Sequence, residues 1–500
     1  MRRISGAAAA VLLALSSRAA FPQEHPHPQA GVGTVHFPTS CKPGVTSRFD
    51  HAVALLHSFE FGAAIRSFEE VLGADSACAM AQWGIALSRW TNPMATGNRS
   101  ATVLQRGREA ARAAERLGAG ASERERGYIR AVGKLYDDFE HKDQRTRVLA
   151  YAGGMKELMT QQPADTEAKI FYAIALVASA SPTDKTYANQ LEAGAMLESL
   201  WAKQPDHPGL AHYIIHAYDV PALADKAREA ARRYADIAPS AAHALHMPSH
   251  TFTRVGMWEE SVETNQRSMQ AALASNAIAE ALHASDYAMY AWLQLGKESE
   301  AKAILDGLPA LAARPDSTAV TGAATGAAGV FALAAIPARW ALERHAWDEA
   351  AALVPKASAY PYAEAMTYFA RALGLSRTGR PGEAKPAVDS LAAISRRLVA
   401  QKEAYWSEQV AIQHLEASAW VDLAEGRESD ALAKMREAVG REDATEKSAV
   451  TPGPLAPAHE QLGDILMLLH RPAEASAEYR ATLQKEPNRR NALRGLKASS

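Results

Sequence analysis

Small and apolar residues recur at helical spacing along most of the chain, and short polar turns separate these stretches. After each turn, the next helix opens with a Glu-Ala pair or a similar one. The clearest turns lie at 295–297, 344–346, 379–381, 426–428 and 470–472, and an earlier unit begins near Phe61. No segment shows the alternation of apolar and polar residues that is typical of a half-buried strand. The pattern therefore predicts an all-α chain of helical hairpins.

Each of these five turns is followed by an alanine at a matching place: Ala301, Ala350, Ala384, Ala431 and Ala475. A small side chain there lets the two helices of a hairpin approach closely. Neighbouring alanines are 34 to 49 residues apart, whereas a strict tetratricopeptide repeat has a period of about 34 residues. We therefore predict a tetratricopeptide-like α-solenoid with elongated repeats over residues 46–500, in which stacked hairpins bury each other's apolar faces.

Residues 1–20 have the pattern of a signal peptide. Arg2 and Arg3 precede a short apolar run that ends at Leu15, and small residues suited to cleavage end at Ala19 and Ala20. The apolar run is too short to cross a bilayer. Residues 21–45 are rich in proline, histidine and glycine, and they predict a flexible leader. These features predict export to the periplasm or the cell exterior, with no membrane span in the mature protein.

Charge and cysteine content narrow the possible functions. The chain has 54 Lys and Arg against 56 Asp and Glu, which argues against a nucleic-acid binder because such proteins present a basic face. Cys41 and Cys78 predict one disulfide in an oxidising compartment, with two separate buried thiols as the alternative. The uncharged stretch 319–338 is mostly alanine with several glycines, so it predicts a buried helix after a loop and not a membrane span.

Histidines are concentrated in one part of the chain, since six of the 17 lie between positions 207 and 250. Pro208 predicts the start of a helix on which His212, His216 and Asp219 share one side, opposite an apolar stripe that includes Leu210. Two imidazoles one helical turn apart can bind the same metal ion. Asp219 is spaced to serve as a further ligand or to orient a histidine.

The next unit repeats this arrangement around Pro248. His246 and His250 are again four residues apart, and Arg254 shares the face of His250. The histidine-rich units, about 206–290, thus present histidine away from their packing faces, towards the concave groove that the first helices of such solenoids line. The predicted metal site consists of His212, His216, His246 and His250, with His243, His283 and Asp219 as further candidates.

Imidazole ligands, alone or with a carboxylate, suit a zinc, copper or iron ion. The alternative is that these histidines cap helices and bond to the backbone without metal. The sequence contains no P-loop, no G-x-S-x-G elbow, no H-E-x-x-H motif and no haem-attachment motif. The histidine cluster is therefore the strongest chemical signal in the sequence.

Five motifs mark the chain: Leu55-Leu56-His57-Ser58-Phe59, Cys78-Ala79-Met80-Ala81-Gln82-Trp83-Gly84, the block from His207 to Asp219, His246-Met247-Pro248-Ser249-His250, and Val450-Thr451-Pro452-Gly453-Pro454. Together they resemble a family of exported bacterial tetratricopeptide-repeat proteins. The resemblance implies the helical-repeat fold and no established activity. Members usually carry a His-Pro-Leu-Trp-like run where this chain has Trp90-Thr91-Asn92-Pro93-Met94, and often His-Pro where it has Ser448-Ala449. If those histidines are ligands, this chain lacks them.

Three functions fit these observations. The first is an exported scaffold whose concave groove binds a protein or small-molecule partner and carries the histidine-lined metal site. The second is a metal-dependent hydrolase or oxidoreductase, in which the ion activates water or oxygen and Asp219, Arg254 or Asp286 assists. An open coordination position favours this enzyme, whereas a closed four-ligand site favours a structural role. The third is a plain interaction scaffold in which the histidines are structural.

Overall fold

Consecutive helices lie side by side and form stacked hairpins. The structure is a computed structural model that describes residues 31–95, 97–317 and 322–500. The predicted signal peptide and the first ten residues of the predicted leader (21–30) lie outside the described residues. Within the described ranges every regular element is a helix, as the sequence predicts, and most contacts join neighbours in the chain. The fold is an all-α, tetratricopeptide-like solenoid.

The first twelve α-helices include the histidine-rich helices α9, α11 and α12. They are α1 (Thr46–His57), α2 (Phe61–Ala74), α3 (Ala79–Trp90), α4 (Ala101–Leu117), α5 (Glu123–Lys134), α6 (Gln144–Gln161), α7 (Thr166–Ala178), α8 (Ala188–Trp201), α9 (Pro208–Ala217), α10 (Arg228–Ile237), α11 (Ala242–His246) and α12 (Pro248–Arg254).

The remaining helices continue the stack to the C-terminus. They are α13 (Trp258–Ala274), α14 (Ile278–Gln294), α15 (Glu298–Ala312), α16 (Gly326–Glu343), α17 (Trp347–Ala352), α18 (Pro361–Arg377), α19 (Pro381–Ala400), α20 (Ala404–Ala424), α21 (Glu428–Asp443), α22 (Ala458–Leu468), α23 (Pro472–Lys485) and α24 (Arg490–Ala498). None of the helices in the described ranges is long and apolar enough to span a membrane.

All five predicted turns contain a residue in the left-handed conformation that ends a helix. Gly296, Gly379 and Gly426 have φ of 71°, 74° and 80°, which glycine adopts without a steric penalty. His345 and His470 take the same conformation at the other two turns, with φ of 54° and 56°. The five alanines that follow these turns are fully buried, at 0% exposure. This confirms the predicted close approach of the paired helices.

The solenoid curves until units that are far apart in sequence touch. The side-chain amide of Asn98, after α3, donates to the carboxylate of Glu403, before α20, at 3.2 Å. Lys185 donates to Glu446 at 2.7 Å. The indole of Trp258 donates to the backbone carbonyl of Asn488 at 3.1 Å. These contacts close the inner side of the curve, so the open concave groove expected from the repeat pattern is replaced by a narrower cleft.

Residues 31–45 pack against the N-terminal hairpins, in contrast to the predicted flexible leader. Val32, Val35 and Phe37 are buried, and the Phe37 ring lies 5.3 Å from the ring of Trp83. The composition of this segment is typical of a linker, but its spaced apolar residues belong to the main core. The predicted disulfide, Cys41–Cys78, is present and fastens the segment to the start of α3.

Candidate metal centre

Helix α9 holds the first pair of predicted ligands inside the fold. All of its residues are buried, because α1, α7, α8 and α10 pack around it. The Nδ1–H of His212 donates to the backbone carbonyl of His57 at 2.6 Å, which leaves the lone pair on its Nε2. His216 lies one turn further on and is 6% exposed. This side of α9 is therefore enclosed by neighbouring helices, and of the pair only His216 lines a cleft.

His246 and His250 lie on one helical path, because Met247 between α11 and α12 keeps helical angles (φ −53°, ψ −36°). The side-chain oxygen of Asn265 accepts from Nδ1 of His246 at 2.7 Å, and its amide nitrogen is turned away towards a backbone carbonyl. The carboxylate of Asp219 accepts from Nδ1 of His250 at 3.0 Å. When both rings are neutral, each therefore carries its lone pair on Nε2.

The structure sorts the histidines into two triads. The first triad is His212, His216 and His243, and the second triad is His246, His250 and His283. Within each triad, one ring nitrogen from each residue lies within 4.8 Å of the other two. The sequence instead joined the two helical pairs into one site and kept His243 and His283 as further candidates. The pairs are adjacent, but each is completed by a histidine from the following unit.

One aromatic side chain contacts all three imidazoles of each triad. Phe59, in the turn between α1 and α2, has ring-centroid distances of 4.4, 5.6 and 5.4 Å to the members of the first triad. Tyr287, on α14, lies 4.8, 5.1 and 5.3 Å from those of the second triad. These rings fix the orientation of the imidazoles by packing and exclude water from one side of each triad.

Many buried ring nitrogens of the triads have no hydrogen-bond partner among the described residues. They are Nε2 of His212, Nε2 of His216, both nitrogens of His243 and Nδ1 of His283. Leaving a buried polar atom without a partner costs about 1–3 kcal/mol. Such a concentration of unpartnered nitrogens in one place is unusual for a folded interior, and their lone pairs are of the kind that binds a metal ion.

The second triad contains a sharper conflict. Nε2 of His246 and Nε2 of His250 are only 3.1 Å apart, although the bonds to Asn265 and Asp219 place a lone pair on each. No proton is available to join them while both rings are neutral. Two imidazole nitrogens on one tetrahedral zinc-like ion are about 3.3 Å apart, from metal–nitrogen bonds of about 2.0–2.1 Å. A shared cation resolves the conflict without moving either ring far.

Burial keeps these imidazoles in the form that binds a metal ion. It holds the pKa of His212, His216, His246 and His283 well below the usual value, and the neighbouring histidines lower it further. Burial also lowers the pKa of His250, although the Asp219 carboxylate opposes the shift. Neutral imidazole is the ligand form, so these five histidines need no deprotonation at neutral pH.

Asp219 and Arg254 lie behind the second triad and do not face an open site. Arg254 donates to the Asp219 carboxylate at 2.9 Å and to the Asp219 carbonyl at 2.8 Å. Burial alone would raise the pKa of Asp219, but Lys447, Arg254 and the His250 N–H hold it well below its usual range. Asp219 is thus an ionised carboxylate that fixes the tautomer of His250, which is one of its two predicted roles.

Asp286, the third predicted catalytic candidate, belongs to a structural network. It forms a fully buried ion pair with Arg339 at 3.0 Å. Arg339 also donates to the Thr451 hydroxyl at 3.3 Å and to the Gly453 carbonyl at 3.4 Å. The Val450–Pro454 motif is therefore anchored over α14 and α16, and nothing in these contacts gives Asp286 access to a bound molecule.

A third histidine group, His57, Glu167 and His207, has a supporting role. The Glu167 carboxylate bridges the two imidazoles, with 2.9 Å to Nε2 of each. Burial opposes its ionisation, yet the two histidines hold the pKa of Glu167 well below the usual range. Nδ1 of His57 lies 3.0 Å from the Tyr213 hydroxyl. This network fixes the backbone of His57, whose carbonyl orients His212.

A cleft of about 360 Å³ leads to the triads, and His216, His243, His250 and His283 line its inner end. Its remaining walls come from units distant in sequence and combine aromatic and aliphatic residues such as Tyr362, Trp406 and Val450 with the charged residues Arg99 and Glu403. Two segments singled out in the sequence also contribute to the cleft, through Thr91, Asn92, Met94, Ser448 and Ala449.

Sequence reasoning missed four residues around the triads: Glu60, Glu280, Tyr287 and Lys447. Glu60 accepts the backbone N–H of His243, and burial together with Glu280 raises its pKa to about 7. Nζ of Lys447 is buried 3.7 Å from Asp219, and burial lowers its pKa to about 8. Lys447 lies in a polar linker and the glutamates lie in ordinary helix-start patterns, so no local signal identifies them.

Comparison with known proteins finds similarity only to solved structures, and at low sequence identity. No protein-family model and no curated protein sequence matches the chain. Among solved structures it is similar to the APC/C hetero-tetramer Cut9-Hcn1, with 11% identity over 91% of this chain and 76% of that chain and a TM-score of 0.38. It is also similar to the human IFIT1 dimer with m7Gppp-AAAA, with 10% identity over 84% of this chain and 90% of that chain and a TM-score of 0.39. A third similar structure is yeast Tom70, with 11% identity over 91% of this chain and 95% of that chain and a TM-score of 0.35.

The lowered histidine pKa values predict that the metal-free protein loses stability in acid. The unfolded chain binds protons at these histidines below about pH 6.5, and the folded chain does not. The unfolding free energy should therefore fall as pH decreases from about 6.5, by up to about 1.4 kcal/mol per pH unit for each such histidine. Urea unfolding of chelator-treated protein between pH 8 and pH 5 measures the slope.

Two variants identify the source of that slope. His212→Gln should reduce it, because one buried imidazole is removed. His141→Gln should leave it nearly unchanged, because the His141 side chain is 81% exposed. A stability that is flat across this pH range would contradict neutral, buried triads.

Proposed function

We propose that this protein binds transition-metal ions through its buried histidine triads and acts as a metal-dependent enzyme on a small molecule. The observation that carries the metal proposal is the 3.1 Å approach of two lone-pair-bearing Nε2 atoms, those of His246 and His250. The unpartnered nitrogens of the first triad support it. Zinc, copper and iron all accept imidazole ligands, and for a given site copper(II) binds most tightly of the divalent ions.

The size and lining of the cleft favour chemistry over a purely structural ion. A volume of about 360 Å³ lies at the lower end of the range for small-molecule sites, about 300–1,000 Å³. Three imidazoles leave a coordination position free on a tetrahedral ion, where water or oxygen can bind. The aromatic and aliphatic walls, with Arg99 and Glu403 among them, fit a small organic substrate that has both apolar and polar groups. Either hydrolysis or oxidation is consistent with this arrangement.

The residues around the triads have supporting roles in this proposal. Asp219 orients His250 as a positioning residue, and Arg254 and Lys447 keep Asp219 ionised. Phe59 and Tyr287 exclude water from the ligand rings. The interaction-scaffold hypothesis needs a surface that is wide enough for a protein segment. Contacts such as Asn98–Glu403 close the inner side of the solenoid, so this site favours the smaller ligand.

We also propose that the protein works outside the cytoplasm. The basic and apolar start of the sequence has the pattern of an export signal. The Cys41–Cys78 disulfide suits an oxidising compartment. A periplasmic or extracellular location would expose the site to metal ions without competition from cytosolic thiols.

Metal content tests the central part of this proposal. The mature protein, purified without a histidine tag and reconstituted with zinc, copper or iron, should retain tightly bound metal after gel filtration. The His212→Ala/His246→Ala variant should lose it, because each triad then lacks a ligand, while the exposed-site control His141→Ala should retain it. Elemental analysis measures the content. A wild type that retains none of the three metals would contradict the proposal.

An open coordination position tests the enzymatic part. In cobalt(II)-loaded protein, azide should change the visible absorption spectrum by binding at the free position. His246→Ala/His283→Ala protein should show a smaller azide-dependent change, since the second triad is reduced to a single ligand. A spectrum that is insensitive to azide at metal saturation would indicate a closed, structural site and would contradict the enzyme.

A further inference from the structure

The two triads are built to the same plan. Each takes a pair of histidines four residues apart on one helical path and a single histidine from the next unit. His212 and His216 are completed by His243, which follows after 27 residues, and His246 and His250 by His283, after 33 residues. Each ligand set is therefore drawn from two successive units of the solenoid.

Each triad also has its own supporting groups. One aromatic ring, Phe59 or Tyr287, contacts all three imidazoles. One carboxylate lies behind a ligand ring: Asp219 Oδ2 is 3.0 Å from Nδ1 of His250, and Glu280 Oε2 is 3.8 Å from Nδ1 of His243. A carboxylate behind a ligating histidine raises its basicity and offsets the charge of an ion. Asp219 makes a hydrogen bond to His250, whereas Glu280 at 3.8 Å is near His243 without bonding to it. The duplication thus extends to the aromatic ring and to the placement of a carboxyl group, but not to its hydrogen bond.

The two triads are neighbours: the rings across their boundary are no farther apart than the most distant pair within each triad, although the other pairs within a triad are closer, at 4.4–5.1 Å. Ring centroids are 6.2 Å apart for His216–His250 and 6.2 Å for His243–His246 across the boundary. Within the triads, His216–His243 and His250–His283 are 6.5 and 6.4 Å apart. Histidines of both triads line the inner end of the same cleft. One molecule in that cleft could therefore contact both sites.

We infer that the two triads hold two metal ions side by side and form a binuclear centre at the end of the cleft. This rests on the proposed metal binding and specifies it. Two-ion sites act on one substrate by placing both ions on the same pair of reacting atoms, with ions about 3.5–4 Å apart. Six imidazoles would hold the ions here, with the carboxyl groups of Asp219 and Glu280 next to them.

Copper is the probe for this inference, because imidazole sites bind it tightly and two neighbouring copper(II) ions are magnetically coupled. Titration of the full mature protein with copper(II), followed by gel filtration, should give two ions per chain. The fully loaded protein should show a weaker electron paramagnetic resonance signal than two isolated ions. His283→Gln and His243→Gln should each bind one ion fewer and give the signal of isolated copper(II). His141→Gln should behave as wild type.

The outcomes distinguish failure of the binuclear centre from failure of the metal-binding proposal on which it rests. One retained ion per chain in the wild type, with the signal of isolated copper(II), would overturn the binuclear centre and leave the metal proposal standing. No retained ion would overturn both. The wild-type stoichiometry and signal decide the question even if either glutamine variant fails to fold.

Discussion

The structure depends on a set of buried imidazoles that the protein alone does not satisfy. Two triads of histidine lie in the interior, and in the second triad two Nε2 lone pairs face each other at 3.1 Å. Burying polar atoms without partners is unfavourable, and natural folds keep few of them. Here packing holds the rings in place. Hydrogen bonds to the His57 carbonyl, Asn265 and Asp219 also orient three of them, those of His212, His246 and His250. If the triads bind metal as proposed, the polypeptide holds the ligands in place in advance, which is the preorganisation that a metal site requires.

The helical-repeat fold explains how so many histidines meet in one place. Each hairpin repeats the direction of its first helix, so residues at equivalent positions of successive units become neighbours. A solenoid normally leaves this inner row open to solvent. In this chain, contacts such as Lys185–Glu446 draw the two halves together, and the 451–454 segment is tied down by Arg339. Contact between the two halves encloses this row of side chains in a cleft that is lined by histidines at one end.

Local sequence predicted the fold well and the site only in part. Helical periodicity, the turns and the alanines at 301, 350, 384, 431 and 475 depend on nearby residues, and all were correct. The i, i+4 histidine pairs were visible for the same reason. The division into triads depends on hairpin lengths that place His243 and His283, and the role of Lys447 depends on contacts more than 200 residues away. Linker-like composition concealed the buried Val32, Val35 and Phe37, because three apolar residues are too few to show a period.

X-ray absorption spectroscopy of the copper- or zinc-loaded protein tests the central claim most directly, since it reports the atoms bound to the ion. The account predicts about three imidazole nitrogens per ion at about 2.0–2.1 Å, with the outer-shell scattering of histidine rings. The same spectrum should lose this histidine scattering in the His212→Ala/His246→Ala variant. A first shell of oxygen atoms without imidazole scattering in the wild type would contradict the claim that the buried triads are metal ligands.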